Sequence, residues 1–193
     1  DRAKVGYPMN FEGVGVSDGT GIYKVDARVV PLSAYLGSVG MPGVTAWYGL
    51  NRIIAPKEGE TILVSSASGA VGGVVGQLAK ISGCRAVGIA GGAEKCSYVV
   101  AELGFDACID YKSQDVNRAL KDAAPQGVDG YFENVGGPVF DAVLPLLNTG
   151  ARVPVCGLVS QYNATSLPSG PDRLSMLMGQ VLRKRLTMRG FII

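Results

Sequence analysis

The sequence predicts an α/β fold, a doubly wound parallel sheet, on three observations. Short apolar runs alternate with segments of helical periodicity roughly 10–15 residues long, the order that builds βαβ units. The runs are continuously apolar rather than alternating, as strands are when helices cover both faces of a sheet. The first of them, Thr61-Ile-Leu-Val-Ser65, leads straight into a glycine-rich turn.

Residues 1–40 are Gly-rich, lack helical periodicity and read as short strands and turns, Gly21-Ile-Tyr-Lys-Val25 among them. Met41-Pro-Gly43 punctuates the chain, and residues 44–54 read as a short helix. Strand 61–65 precedes helical spacing over 70–81. Strand 85–90 precedes a helix over 93–103, strand 107–110 one over 113–123, and strand 128–133 one over 138–147. Pro138 suits the first turn of its helix, where no N–H is needed. A strand over 151–156, a loop over 160–171, a helix over 174–183 and a strand over 186–193 complete the series.

The 193 residues are about one domain's worth of chain, and 47% hydrophobic content is enough for a core. Eighteen Lys and Arg against sixteen Asp and Glu give a net charge of +2, which offers nothing to a nucleic acid. Gly, Ser or a charge interrupts every apolar run, so no membrane span is expected. With no histidine, the chain cannot build a Ser-His-Asp or Cys-His machine by itself. Its four cysteines, Cys84, Cys96, Cys108 and Cys156, form no C-x-x-C pair, so no metal site is expected. Nothing at the start resembles a signal peptide, and a cytoplasmic location is the simplest expectation. The chain opens at Asp1 and stops within the apolar Gly190-Phe-Ile-Ile193, so it reads as a fragment.

The turn after the first strand is Ser65-Ser-Ala-Ser-Gly-Ala-Val-Gly72, which contains Ala67-x-Gly69-x-x-Gly72. This is the dinucleotide fingerprint of a Rossmann unit with alanine at its first glycine. Its chemistry needs a tight turn, backbone free to approach a pyrophosphate, and helix N–H groups aimed at the phosphates. The alternative is an ordinary strand-to-helix turn. An NAD site usually places a carboxylate at the tip of the second strand, for the ribose 2′-hydroxyl. Here the tip is Ala90-Gly-Gly92 followed by Ala93-Glu-Lys95. The glycine pair leaves room for a 2′-phosphate and Lys95 offers a cation, which favours NADP(H). Glu94 complements the helix dipole, and Lys95 has the alternative of being a solvated surface lysine.

These residues resemble the zinc-independent medium-chain dehydrogenase/reductases, in the branch of the leukotriene B4 12-hydroxydehydrogenase/prostaglandin reductases and NADPH-dependent curcumin reductases. Five segments carry the resemblance: Gly40-Met-Pro-Gly-Val-Thr-Ala-Trp-Tyr-Gly-Leu50, Ser68-Gly-Ala-Val-Gly72, Ala90-Gly-Gly-Ala-Glu-Lys95, Tyr131-Phe-Glu-Asn-Val-Gly-Gly137 and Val155-Cys-Gly-Leu-Val-Ser-Gln-Tyr-Asn163. The resemblance implies that residues 1–35 are the tail of a GroES-like catalytic domain. Residues 36–193 would be an NADP-binding Rossmann domain, truncated at its C-terminal end.

It also implies roles. Gly69, Ala70, Val71 and Gly72 would hold the pyrophosphate, and Lys95 and Tyr111 the 2′-phosphate. Asn134 would touch the cofactor after the fourth strand. Cys156, Gly157, Leu158, Val159, Ser160, Gln161 and Tyr162 would run along the nicotinamide half, and Phe191, Ile192 and Ile193 would support the nicotinamide through their backbone. The implied reaction is hydride transfer from NADPH to the double bond of an α,β-unsaturated ketone or aldehyde. Tyr162 is the candidate catalytic residue, a donor to the carbonyl oxygen on which charge develops. A small-molecule enone or enal is the expected partner, with a homodimer joined through the last strand's apolar edge.

Other readings stand beside these. Tyr111 has a packing role open to it, Asn134 a left-handed turn, and Cys156 the part of a small buried hydrophobe. Trp47 and Tyr48 read as core, and Arg183-Lys-Arg185 as a helix C-terminal cap. The competing functions are a quinone reductase of the same superfamily and a non-catalytic nucleotide-binding module. A zinc alcohol dehydrogenase lacks its histidines here.

Overall fold

In the computed structural model, residues 18–21, 24–166 and 173–193 are described. Six strands form one parallel sheet: β1 (Thr61–Ser65), β2 (Arg85–Ala90), β3 (Ala107–Asp110), β4 (Val128–Phe132), β5 (Leu147–Val155) and β6 (Thr187–Gly190). Their order is β3-β2-β1-β4-β5-β6, every neighbouring pair parallel. The chain winds outward from β1 through β2 and β3, then outward the other way from β4. The reversal opens a crevice between the carboxyl ends of β1 and β4, where such sheets bind ligands.

Helices α1 (Leu32–Leu36) and α2 (Met41–Tyr48) precede the sheet. Helices α3 (Gly72–Ile81), α4 (Ala93–Ala101), α5 (Val116–Ala123), α6 (Gly137–Val143) and α7 (Leu174–Lys184) connect its strands. Both faces of the sheet are covered. Ile62 and Val64 of β1 join Val75, Ala79, Val99 and Phe105 in one apolar cluster. Leu63 points the other way, into a cluster with Ile89, Leu120, Tyr131, Val143 and Val153. Two-sided burial explains the continuous apolar runs in the sequence. Helix α3 lies close to its neighbours because it carries glycine on its inner face. A Cβ at Gly76 would fall 1.8 Å from Cζ of Phe105.

Several boundaries differ from the expectation. The helix expected over 44–54 begins at Met41, with Pro42 in its first turn, and becomes a π-helical turn over Gly49–Ile54. The helix expected over 138–147 ends at Val143. Pro145 then holds a 3-10 turn (Leu144–Leu146), since it has no N–H to extend an α-helix. Strand β5 therefore starts four residues early. Helix α5 starts at Val116 because Asp115 caps it, its carboxylate accepting from Arg118 N at 3.2 Å. The expected strand 186–193 ends at Gly190, leaving residues 191–193 outside the sheet.

Trp47 is not core. The inner face of α2 is Pro42, Gly43, Thr45 and Ala46, and Trp47 stands half-exposed under the Arg52 guanidinium, 5.3 Å from its ring centre. The Lys184 side chain does not cap α7: its ammonium donates at 2.7 Å to the carbonyls of Pro145 and Leu147, outside that helix, whose end is closed by the Arg185 N–H on Leu182 O and Val181 O. Most of the stretch read as short strands and turns, 1–17, and part of the loop over 160–171 lie outside the described residues. So do residues 22 and 23 of the strand expected over 21–25.

Candidate functional site

The glycine turn forms at the carboxyl end of β1. Ser66 adopts a left-handed φ of 54°, and its carbonyl accepts from Gly69 N at 2.9 Å. Gly72 presses against the same carbonyl, so that a Cβ there would sit 2.3 Å from the oxygen. Gly69 accepts from Gly73 N at 2.9 Å, starting α3. Among the described residues no acceptor meets the N–H groups of Ala70, Val71 and Gly72. Three unpartnered donors at the positive end of a ten-residue helix fit a phosphate, which a dinucleotide cofactor would bring.

At the tip of β2, Gly92 opens α4 with φ of 107°, and its N–H donates to Asp110 Oδ1 at 2.7 Å. Asp110 also accepts from Lys112 N at 3.0 Å and from Ser113 Oγ at 2.6 Å. The Ser113 hydroxyl, then the N–H groups of Gly92 and Lys112, hold its carboxyl below the ordinary carboxylate range. Ionisation therefore stabilises the fold above that range, and the contribution is lost only as pH falls through the lowered value. The turn stays built at neutral pH.

Tyr111 lies over Gly91, where a Cβ would meet its ring and hydroxyl at 2.8–2.9 Å, and the ring remains half-exposed. Lys95 is exposed in the first turns of α4, with no partner among the described residues. The tip is open at Gly92, where nothing lies within 4 Å of a Cβ, and a phenol and an ammonium border it, which suits an added phosphate.

Across the crevice, Asn134 links the two central strands. Its backbone N donates to Ser65 Oγ and its Nδ2 to the Ser65 carbonyl, both at 2.8 Å. The left-handed positions of this turn are Gly136 and Gly137, so Asn134 is not there for a positive φ. Beneath it lies Glu133, only 1% exposed. Its Oε1 accepts from Val135 N at 2.5 Å, Gly136 N at 3.0 Å and Ser65 Oγ at 3.0 Å. Its Oε2 accepts from the Tyr131 hydroxyl at 2.9 Å. Burial, followed by the Glu133 charge, pushes the Tyr131 phenol well above its ordinary value and keeps it a donor.

Sequence reasoning gave Glu133 and Ser65 no role. The available signal was a carboxylate closing an otherwise apolar strand.

The Glu133 turn is fastened to the loop after β5. The Glu133 carbonyl accepts from Cys156 N and Gly157 N, Asn134 O from Val159 N, and Val135 O from Ser160 N and Oγ. Tyr162 folds back over Gly157, its Oη accepting from Leu158 N at 3.3 Å. Val155, Cys156, Gly157, Leu158, Tyr162, Gly190, Phe191 and Ile192 line one open groove of about 540 Å³.

Burial raises the Cys156 thiol to about 11, so it is protonated at neutral pH and no nucleophile. The Phe191 ring packs edge-on to Phe132 at 6.2 Å and beside Tyr48 at 5.6 Å, leaving its backbone to the groove. Val159, Ser160 and Gln161 form an exposed 3-10 turn behind the groove, and Ile193 is exposed without lining it.

A family profile described as zinc-binding dehydrogenase matches residues 70–193. The NADPH-dependent curcumin reductase of Escherichia coli is 54% identical over 189 residues, covering 98% of this chain and 54% of that protein. The NADP(+)-dependent 2-alkenal reductase of Nicotiana tabacum is 46% identical over 173 residues, 89% of this chain and 49% of the relative. The crystal structure of CurA from Vibrio vulnificus in complex with NADPH superposes with a TM-score of 0.85 at 58% identity, covering 93% of this chain and 53% of that one. The chain thus spans about half the length of the relatives it matches.

Zinc is implied by the family's description, and the residues here do not fit it. The chain has no histidine, and no cluster of three or more Cys, Asp or Glu stands together among the described residues. No helix among them is long and apolar enough to cross a membrane.

Proposed function

The chain belongs to the zinc-binding dehydrogenase family, and from that premise we propose that it is the cofactor-binding portion of an NADPH-dependent oxidoreductase acting on the C=C bond of α,β-unsaturated ketones and aldehydes. The observation that carries this reading is the set of unpartnered N–H groups at Ala70, Val71 and Gly72, at the same carboxyl end of the sheet as the tip left open at Gly92. The printed names and the NADPH complex of its relatives support it.

When bound, NADPH supplies hydride to the β-carbon of the unsaturated carbonyl compound. Gly69 to Gly72 take the pyrophosphate, Lys95 and Tyr111 the 2′-phosphate, and Asn134 keeps the ends of β1 and β4 in register beneath the cofactor. Residues 156–162 run along the nicotinamide half, and Phe191, Ile192 and Ile193 support it through their backbone. Residues 36–193 act as the NADP-binding domain and 1–35 as the tail of the catalytic domain.

Tyr162 donates to the carbonyl oxygen. Its Oη accepts from Leu158 N, which leaves the phenolic proton free for that oxygen as negative charge develops on it. In the full-length protein, Tyr162→Phe is expected to lower kcat for an enone roughly 10²-fold with NADPH affinity unchanged. An unchanged kcat in steady-state kinetics would remove Tyr162 from the mechanism.

The protein works in the cytoplasm as a homodimer. Strand β6 lies at the sheet edge and Thr187, Arg189 and Gly190 are exposed, so a second copy can continue the sheet there. Light scattering is expected to give twice the chain mass, and a monomer alone would contradict the pairing.

A further inference from the structure

The cofactor reading leaves three thiols unused, and the fold brings two of them, Cys96 and Cys108, into contact. Cys96 lies in α4, directly after Lys95, and Cys108 lies in β3 opposite Gly88 of β2. The Cys108 thiol points at Cys96 Sγ, with the sulfurs 3.0 Å apart. Both residues are partly accessible, whereas Cys84 is buried with its thiol directed at the Lys57 carbonyl.

We propose that Cys96 and Cys108 form a reversible disulfide that weakens NADPH binding by displacing the 2′-phosphate end of the site, an inference that rests on the cofactor reading above. The co-reactant is a small disulfide of the glutathione type. The Cys96 thiolate attacks one of its sulfurs, the glutathione S–S bond breaks, and one glutathione leaves to take up a proton. Cys108, giving its proton to solvent, then attacks the Cys96 sulfur. The protein S–S bond forms and the second glutathione leaves as a thiol.

Two protein thiols are oxidised and one glutathione disulfide is reduced, with the protons balanced. Cys96 attacks first because burial and the neighbouring Cys96 sulfur raise the Cys108 thiol.

A disulfide is about 2.05 Å long, so the sulfurs must close by about 1 Å. The pull acts between the residue after Lys95 and a strand position two before Asp110. Asp110 holds the Gly92 N–H and is followed by Tyr111. Both 2′-phosphate contacts therefore sit next to the moving atoms. NADH has no 2′-phosphate and should not register the change.

The test equilibrates the chain in glutathione buffers of graded oxidation, traps free thiols by alkylation, and maps the peptides by mass spectrometry. Calorimetric titrations with NADPH and NADH follow on the same samples. Expected are loss of two alkylatable thiols, a reducible cross-link between the peptides of Cys96 and Cys108, and a Kd for NADPH raised about tenfold with that for NADH unchanged. Cys96→Ser and Cys108→Ser should bind NADPH like the reduced chain when reduced and form no protein cross-link in any buffer, Cys108→Ser stopping at the Cys96–glutathione mixed disulfide. No cross-link at any buffer ratio overturns the proposal, as does a cross-link that leaves NADPH affinity unchanged. If the reduced chain fails to bind NADPH, the premise falls and the proposal with it, an outcome the mass readout separates from failed cross-linking.

Discussion

Glu133→Ala is expected to destabilise the chain by about 3 kcal/mol, because it strips a buried carboxylate from four donors at once. The N–H groups of Val135 and Gly136 would lose their acceptor. The Tyr131 hydroxyl, inside the apolar cluster, would be left unpaired. For a chain of this length the loss corresponds to roughly 6–12 °C in Tm. Glu133→Gln keeps one carbonyl oxygen for Val135 and Gly136 and presents an amide to Tyr131, whose oxygen can accept. It should recover most of the stability. The damage to the alanine variant should reach the groove as well, since Glu133, Asn134 and Val135 carry the carbonyls that hold residues 156–160. Thermal unfolding of the two variants would show it. Equal Tm values for Glu133→Ala and the parent would contradict the role given to this carboxylate.

The second large effect is expected at Gly72. Its missing side chain is required by the fold and by the ligand together. A Cβ there would lie 2.3 Å from the Ser66 carbonyl oxygen and 3.1 Å from Ala67 Cα, both backbone atoms that cannot swing aside. Gly72→Ala must therefore displace either the Ser66 turn, already held at positive φ, or the start of α3. The expected stability loss is about 1–3 kcal/mol. The Ala70–Gly72 donors would move with the turn, and affinity should fall by about 10²-fold. The pyrophosphate is common to both cofactors, so NADPH and NADH should suffer alike. Calorimetric titration decides it, and unaltered binding by a folded Gly72→Ala chain would place the phosphates elsewhere.

Much of this fold was legible because two-sided burial writes itself into a strand. Strands 61–65, 85–90 and 107–110 match their apolar runs residue for residue. The glycine turn was legible for a related reason, since a tight turn between a buried strand and a helix tolerates few residue types. Where a boundary depends on a specific hydrogen bond, the periodicity gave no notice of it. The Asp115 cap and the Pro145 turn moved helix starts and ends by several residues. Trp47 misled because an aromatic on an apolar helix suggests core, yet the inner face of α2 is made of small residues.

For the candidate site, motif and resemblance single out the glycines, Lys95, Tyr111 and Tyr162 as expectations. The Ser65–Glu133–Asn134 network could not. Its members lie 68 and 69 positions apart along the chain, and only the pairing of β1 with β4 brings them together.

We propose that the carboxyl end of the sheet, from Gly69 to Lys95, is built for a dinucleotide carrying a 2′-phosphate. Calorimetric titration of this chain with NADPH and with NADH, repeated on Lys95→Ala, tests it most directly. Clear preference for NADPH is expected, reduced in Lys95→Ala with NADH binding unchanged. Equal affinity for the two cofactors, or a preference that survives Lys95→Ala intact, would contradict it.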